Sequence, residues 1–458
     1  MVRTRIAPSP TGQDIHIGNL YTALMNWAYA KKNNGKFIIR IEDTDRTRFQ
    51  EGAEVKILSS IKNFGLTYDE GPDIGGPFAP YRQSDRLELY KKYAEELVEK
   101  GAAYYCFCTK ERLDSLREQQ QKEKKTPRYD KHCKSVKDYK AKIENGEPYV
   151  IRLDVPTNET ITFNDVIRGD ISVSSNEVDD QVLLKSDGFP TYHLGVVVDD
   201  YLMEITHVIR AEEWITSTPK HILLYKAFGW PLPIFAHMPI LRNPDKSKLS
   251  KRKNPVWASW YLEEGFLPEA VLNYLALLGW SHPQEKEIFS ISEFIDLIDL
   301  KDIKPVGPVF DLTKLKWVNQ QYIQNKSDEE LKALIIDYYP KAKELSEEIL
   351  SSLMPLVKTR MEVLKDFGTA TKVFFATTHS LEGIDQDLIK DLADKLSALV
   401  DWKSDMIFGE MKKVMEVQKI RMPILYKIFT GEERGLPLPQ VLEILGKEKT
   451  LSLLNLKK

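Results

Sequence analysis

Short apolar runs and amphipathic stretches alternate from Met1 to about Gly75 in the order of an α/β protein. Thr4-Arg5-Ile6-Ala7 predicts a short strand, and Pro8-Ser9-Pro10-Thr11-Gly12 a tight turn. A helix is expected from about Gly18 to Lys32. Phe37-Ile38-Ile39-Arg40-Ile41-Glu42 reads as a second strand, apolar on both faces at its centre as a buried parallel strand requires. Glu51 to Phe64 predicts a second helix. This β-α-β-α order points to a doubly wound sheet.

The alternation stops between about Pro80 and Leu184, where a lysine-rich helical segment and short strands such as Tyr149-Val150-Ile151-Arg152-Leu153 intervene. It returns at Asp187. Thr206-His207-Val208-Ile209-Arg210 predicts a strand, Thr218-Pro219 opens a helix with proline at its first position, and Pro233 to Leu241 predicts another strand. One sheet domain interrupted by an insert accounts for this order. After Lys253 the pattern is almost wholly helical. Ser327-Asp328-Glu329-Glu330 is a capping box that opens a helix, and the last third holds few Pro and Gly residues, which favours a bundle.

With 458 residues, the chain has room for about three domains. A hydrophobic share of 42% excludes a mainly disordered chain. The longest apolar runs, Ala270 to Trp280 and His193 to Val198, are too short to span a bilayer, and no charged-then-apolar leader opens the chain. Three cysteines clustered in one stretch suit a reducing compartment, so the cytoplasm is expected. A net charge of −3 means that nucleic-acid binding would have to rest on local patches.

Two separated segments carry phosphate chemistry. A strand, the turn 8–12 and then His16-Ile17-Gly18-Asn19 opening a helix converge backbone N–H groups where a phosphate can sit. His16 can donate to a phosphate oxygen there, or simply cap the helix. Far along the chain, beyond the insert, Arg242-Asn243-Pro244-Asp245-Lys246 precedes Lys248-Leu249-Ser250-Lys251-Arg252. Its lysines can neutralise a triphosphate tail and a leaving pyrophosphate, although a basic loop standing alone is usually solvated surface.

His-Ile-Gly-Asn and Lys-Leu-Ser-Lys-Arg resemble the "HIGH" and "KMSKS" elements of class I aminoacyl-tRNA synthetases. Longer strings narrow the resemblance to the bacterial-type glutamyl-tRNA synthetases: Arg5 to Gly12, Arg40-Ile41-Glu42-Asp43-Thr44-Asp45, Asp187-Gly188-Phe189-Pro190-Thr191-Tyr192-His193 and Arg210-Ala211-Glu212-Glu213-Trp214. It runs in order to about residue 320 and more weakly to the end. It implies a Rossmann-type doubly wound parallel sheet with an inserted α+β domain, followed by all-helical C-terminal domains. The expected map is a split catalytic domain at 1–79 and 187–241, an insert at 80–186 for the tRNA acceptor end, a stem-contact domain with the lysine loop at 242–325, and a helical anticodon-binding region at 326–458.

The same resemblance assigns glutamate binding to Arg5, Ala7, Ser9, Glu42, Tyr192 and Arg210. That agrees with chemistry: two guanidiniums suit a carboxylate, Glu42 an ammonium, and Tyr192 a hydrogen bond to the ligand. The alternative is an internal Arg5–Glu42 or Arg210–Glu42 ion pair. ATP, entering with Mg²⁺, is assigned to His16, Gly18, Asn19, Glu213, Trp214, Leu241, Lys248 and Lys251, with His16, Lys248 and Lys251 catalytic. Asn19 departs from the second histidine of the motif. The implied reaction joins L-glutamate to tRNA(Glu), with a monomer as the working form. A non-discriminating enzyme that also charges tRNA(Gln) and a catalytically silent tRNA-binding relative are the alternatives.

Cys106-Phe107-Cys108 is followed by 24 residues and then Cys133. Three thiols and a Tyr or His can make a tetrahedral zinc site, and the spacing resembles the family's zinc module at 104–133, with Tyr129 the first choice of fourth ligand and His132 the second. Unligated, half-buried cysteines are the competing reading. Residues 110–142 hold 12 Lys/Arg against 6 Asp/Glu, a phosphate-contacting patch or a solvated charged helix. Met354 to Arg360 resembles part of the anticodon-binding domain, with Arg360 as the base reader.

Overall fold

In the computed structural model the split sheet is assembled from two stretches of chain, one before and one after the interrupting segment. β1 (Arg3–Ile6) leads through α1 (Ile17–Lys32) to β2 (Lys36–Ile39), which pairs with it in parallel from Arg3↔Lys36 to Ile6↔Ile39. α2 (Ala53–Asn63) follows. The strand expected to reach Glu42 ends its regular ladder at Ile39, because Ile41 turns to pair with Arg82. The structure describes residues 1–249, 255–376, 381 and 383–454.

The interrupting segment holds α3 (Leu87–Glu99), β3 (Ala103–Cys106), α4 (Lys110–Lys122), α5 (Tyr139–Glu144), β4 (Val150–Leu153), β5 (Thr160–Asp165), β6 (Gly169–Ser174) and β7 (Val182–Leu184). β3, β4 and β7 make a separate antiparallel sheet. The β5–β6 hairpin behaves differently. It joins the sheet built by the chain beyond the insert through a parallel step, Asp165↔Phe235, and gives that sheet an antiparallel edge.

α6 (Tyr192–Leu202), β8 (His207–Ala211), α7 (Thr218–Phe228) and β9 (Ile234–Met238) complete the fold, with β8 parallel to β9. Ser217 caps α7, so Pro219 occupies its second position, not the first. The two halves of the sheet meet at Arg3, whose N–H donates to Thr206 Oγ1 at 2.8 Å and whose carbonyl accepts from Thr206 N–H at 3.0 Å. Beneath lies a core that includes Ile38, Leu97, Ile151, Leu194, Val197, Val208 and Ile222.

Met1–Trp260 and Leu272–Asp311 form one unit; Tyr261–Val271 and Leu312–Lys458 form a second. The segment 242–325 is therefore divided between them. The second unit is helical. Ser327 caps Asp328–Tyr338 in a reciprocal capping box with Glu330, as its sequence predicts. Leu438, Leu442 and Leu454 join Leu392, Met411 and Phe429 in its core.

Candidate active site

A cleft of about 730 Å³ opens in the first unit at the carboxyl ends of β1 and β8. Arg5, Ala7, Ser9, Asn19, Glu42, Tyr192, Arg210, Glu213 and Trp214 all line it, although they come from opposite sides of the insert. Four elements explain this. β1 delivers Arg5 and then the turn, α1 delivers Asn19, α6 begins at Tyr192, and β8 carries Arg210.

Neither internal pair of the alternative reading forms. Arg5 pairs with Asp200, donating from Nε at 3.0 Å and Nη2 at 3.1 Å, while Arg40 Nη2 donates to Glu42 Oε1 at 3.2 Å. Arg40, fully buried, also donates from Nη1 to Asp200 at 2.8 Å. Its neighbour Asp199 accepts from Arg86 Nε, Gln83 Nε2 and Tyr90 Oη, each at 2.8 Å. Burial pushes the Glu42 carboxyl up to about 7, against the pull of Arg40 and Arg5 and with a push from Asp200. Burial also acts on Asp200, but Arg5 and Arg40 outweigh it and hold that carboxyl below its ordinary value.

Gln83, Asp199 and Asp200 escape motif reading, and Arg40 lies in a motif string that assigns it no role. Their signal was nonetheless in the chain: two carboxylates end the apolar run Val196-Val197-Val198 on a helix whose inner face is core. Buried acids of that kind require cations.

Arg210 is saturated by protein acceptors. Nε donates to His237 Nε2 at 3.1 Å, Nη1 to Tyr192 Oη at 3.0 Å and His221 Nδ1 at 3.3 Å, and Nη2 to Thr218 Oγ1 at 2.9 Å and Trp214 O at 3.5 Å. Tyr192, its ring 4.2 Å from that of Trp214, accepts from Arg210 and so has its own O–H to donate. His221 and His193 are 3.2 Å apart, and burial lowers the basicity of both rings, that of His193 to about 3. Both are neutral near pH 7.

His16 is the N-cap of α1: its Nδ1 accepts from Gly18 N–H at 3.0 Å. In the neutral ring the proton then sits on Nε2. The helix cap is therefore made through Nδ1. Ile17 N–H donates to Val256 O at 2.7 Å and His16 bridges Trp257, so the chain leaving the lysine loop is tied to the start of α1. The loop's described part, residues 241–249, is a hairpin. Leu249 N–H donates to Leu241 O at 3.1 Å, Asn243 N–H to Ser247 O at 2.8 Å, and Lys246 takes the left-handed conformation at φ 66°. Lys248 Nζ reaches Glu213 at 2.5 Å, which brings two of the predicted nucleotide residues together. Leu241 is buried at the hairpin base, and Lys251 lies outside the described residues.

The three thiols converge. Cys106, Cys108 and Cys133 sulfurs lie within 4.8 Å of one another, with Cys108 and Cys133 3.5 Å apart. Tyr129 Oη is 3.3 Å from both Cys106 and Cys108. A tetrahedron with Zn–S bonds of about 2.3 Å has edges of about 3.8 Å, so this donor set fits zinc after small shifts of the sulfurs. Burial among sulfurs pushes the Cys108 thiol up to about 12. His132 is exposed and does not join the group, because the turn at 132–135 directs Cys133 inward instead. In the second unit, Arg360 is exposed just beyond the helix Glu347–Lys358.

Residues 1–317 match the family of class I tRNA synthetases (E and Q), catalytic domain, and residues 321–455 match an anticodon binding domain. Glutamate–tRNA ligases of Fusobacterium nucleatum and Thermus thermophilus are each 45% identical to the chain; the alignments cover 98% of it and 96% and 98% of those relatives. The crystal structure of a glutamate tRNA ligase from Elizabethkingia meningosepticum in complex with its amino acid matches at 38% identity with a TM-score of 0.86, covering 98% of both chains. Similarity of this depth from end to end, on a cleft built from the expected residues, places the chain in the class I glutamate–tRNA ligase family.

Proposed function

We propose that this chain activates L-glutamate with ATP to glutamyl-adenylate and transfers glutamate to the 3′ end of tRNA(Glu), releasing pyrophosphate and then AMP. One observation carries the reading: Arg5, Glu42, Tyr192 and Arg210 share a cleft with the turn that precedes α1.

Glu42 accepts from the α-ammonium. Arg5 and Arg210 face the side-chain carboxylate; the bonds a ligand displaces are the long ones, Arg5 Nη1 to Ile209 O and Arg210 Nη2 to Trp214 O, both 3.5 Å. Tyr192 donates its hydroxyl proton, and Ala7 and Ser9 form the floor. Glutamine would set an amide against cationic donors and leave N–H groups unpaired. The α-carboxylate attacks the α-phosphorus; one P–O bond forms while the bond to pyrophosphate breaks, so no enzyme nucleophile is needed. His16 Nε2–H and the start of α1, with Gly18 and Asn19, meet the phosphates. Glu213, Trp214 and Leu241 border the nucleoside. Lys248, exchanging Glu213 for phosphate, and Lys251 balance the charge that develops on the leaving group. Mg²⁺ enters with ATP and neutralises phosphate charge.

Cys106, Cys108, Tyr129 and Cys133 hold a structural zinc that would cross-link the insert. Residues 80–186 meet the tRNA acceptor end, 242–325 the stem and 326–458 the anticodon, where Arg360 reads a base. The working form is a cytoplasmic monomer. Among the described residues no helix is long and apolar enough to cross a membrane.

Charging separate tRNA(Glu) and tRNA(Gln) transcripts with labelled glutamate and ATP tests this reading. Product on the first alone is expected. Product on both would make the enzyme non-discriminating, and product on neither from folded protein would overturn the proposal.

A further inference from the structure

Behind Arg210, away from the cleft, stand two side chains that the roles above leave unused. His237 in β9 and Asp165 at the end of β5 have no solvent-exposed side-chain surface. Because Arg210 Nε donates to His237 Nε2 at 3.1 Å, that nitrogen carries a lone pair, and the ring proton lies on Nδ1. It is given to Asp165 Oδ2 at 2.6 Å.

Asp165 can serve only as an acceptor here. Its Oδ2 also takes the His237 N–H at 3.0 Å, and Oδ1 takes the N–H groups of Ile167 and Arg168, both at 3.0 Å. Four donors converge on one carboxylate, which fixes the histidine tautomer. An imidazolium would turn a donor toward Arg210 Nε–H and set two cations together. The arrangement is held by sheet register, since Asp165 pairs with Phe235 two residues before His237.

We propose that Asp165 and His237 are positioning residues that lock the Arg210 guanidinium by its Nε edge and thereby set selectivity for glutamate over glutamine. The inference rests on Arg210 binding the substrate's side-chain carboxylate. A guanidinium pinned at Nε keeps its plane fixed, so that the Nη2–H now reaching Trp214 O at 3.5 Å is aimed at a carboxylate oxygen. Once released, it can turn to admit an amide.

The test uses the full chain in steady-state aminoacylation of tRNA(Glu) transcript. It reads kcat, the KM for glutamate, the KM for ATP and inhibition by glutamine. His237→Phe keeps the ring volume without the acceptor. It should raise the glutamate KM about tenfold and tighten glutamine inhibition, with the ATP KM within about twofold of the parent. His237→Gln, which restores an acceptor, should recover most of the loss. Asp165→Asn must face a donor with a donor in either flip and should follow His237→Phe.

Arg210→Lys separates the two readings. If it leaves the glutamate KM unchanged, the role of Arg210 itself fails. If it raises that KM while folded His237→Phe leaves KM and selectivity alone, or depresses kcat and disturbs both KM values equally, the positioning role fails. In the parent chain, ¹⁵N NMR of labelled histidine at about pH 7 should show His237 neutral with its proton on Nδ1. An Nε2–H or imidazolium signal overturns the proposal whether or not the variants fold.

Discussion

Glu42 stands between opposing demands. Its proposed role as acceptor for an α-ammonium requires a carboxylate, yet burial and the nearby Asp200 favour the neutral acid, and Arg40 and Arg5 only partly offset them, leaving the group near 7. Protonation is therefore favoured below about pH 7, and a protonated carboxyl offers no charge to the ammonium. In the free enzyme, kcat/KM for glutamate should fall as pH drops through that value, approaching tenfold per pH unit, while the KM for ATP stays level. Glu42→Gln should raise the glutamate KM above about pH 7, approach the parent below it, and remove the slope. A parent profile that is flat between about pH 8 and pH 5 would sink the assignment. Motif strings named the residues that face the ligand, because cleft chemistry restricts residue type. They were silent on Asp200 and His237, whose importance comes from what they hold. Only the oddity of buried acids after Val196-Val197-Val198 hinted at the first.

Helix and strand positions were largely legible because periodicity is local, and the errors sit where partners are distant. β5 alternates exposed Thr160, Thr162 and Asn164 with buried Ile161, Phe163 and Asp165, a plain strand signal. Nothing local reveals that it leaves the insert to pair with β9, since a single parallel step to Phe235 decides it. The Cys cluster shows the reverse case: spacing pointed to a common site for Cys106, Cys108 and Cys133, and the sulfurs do converge. Zinc in that set would tie β3 to a segment that otherwise has Cys133 and Tyr129 as its main buried anchors. Chain produced with zinc should carry about one ion per molecule, and Cys133→Ser should lose it, as read by atomic emission. The variant should melt earlier, with the glutamate KM unchanged because none of the four ligands lines the cleft. Purified parent chain that holds no zinc and exposes three thiols to a native thiol reagent would refute the metal site.

With a net charge of −3, the chain has no global field to attract tRNA, so affinity must be built from patches. The excess in residues 110–142 is smaller in effect than its count. Arg112 pairs with Asp130, Lys131 with Asp154 and Asp180, Lys134 with Asp154, and Lys142 with Glu147. Among the described residues, Lys122, Lys124 and Lys137 enter no ion pair, and α4 buries none of its side chains. Leu113 packs half-buried against the cysteine cluster, and the polar face opposite is kept for something other than the core. If that something is phosphate, each lysine releases counterions when tRNA binds. Replacing all three by Gln should then weaken tRNA binding at about 0.1 M salt and lower the slope of log affinity against log salt by about 2 to 3, with the glutamate KM untouched. Arg360→Ala makes the contrast, because a base reader sets identity more than charge. Its slope should change by about 1 at most while discrimination between tRNA(Glu) and tRNA with altered anticodon bases declines. A triple lysine variant whose salt slope matches the parent would show the patch to be merely solvated. An Arg360 variant that loses affinity equally for every tRNA would reduce that residue to a phosphate contact.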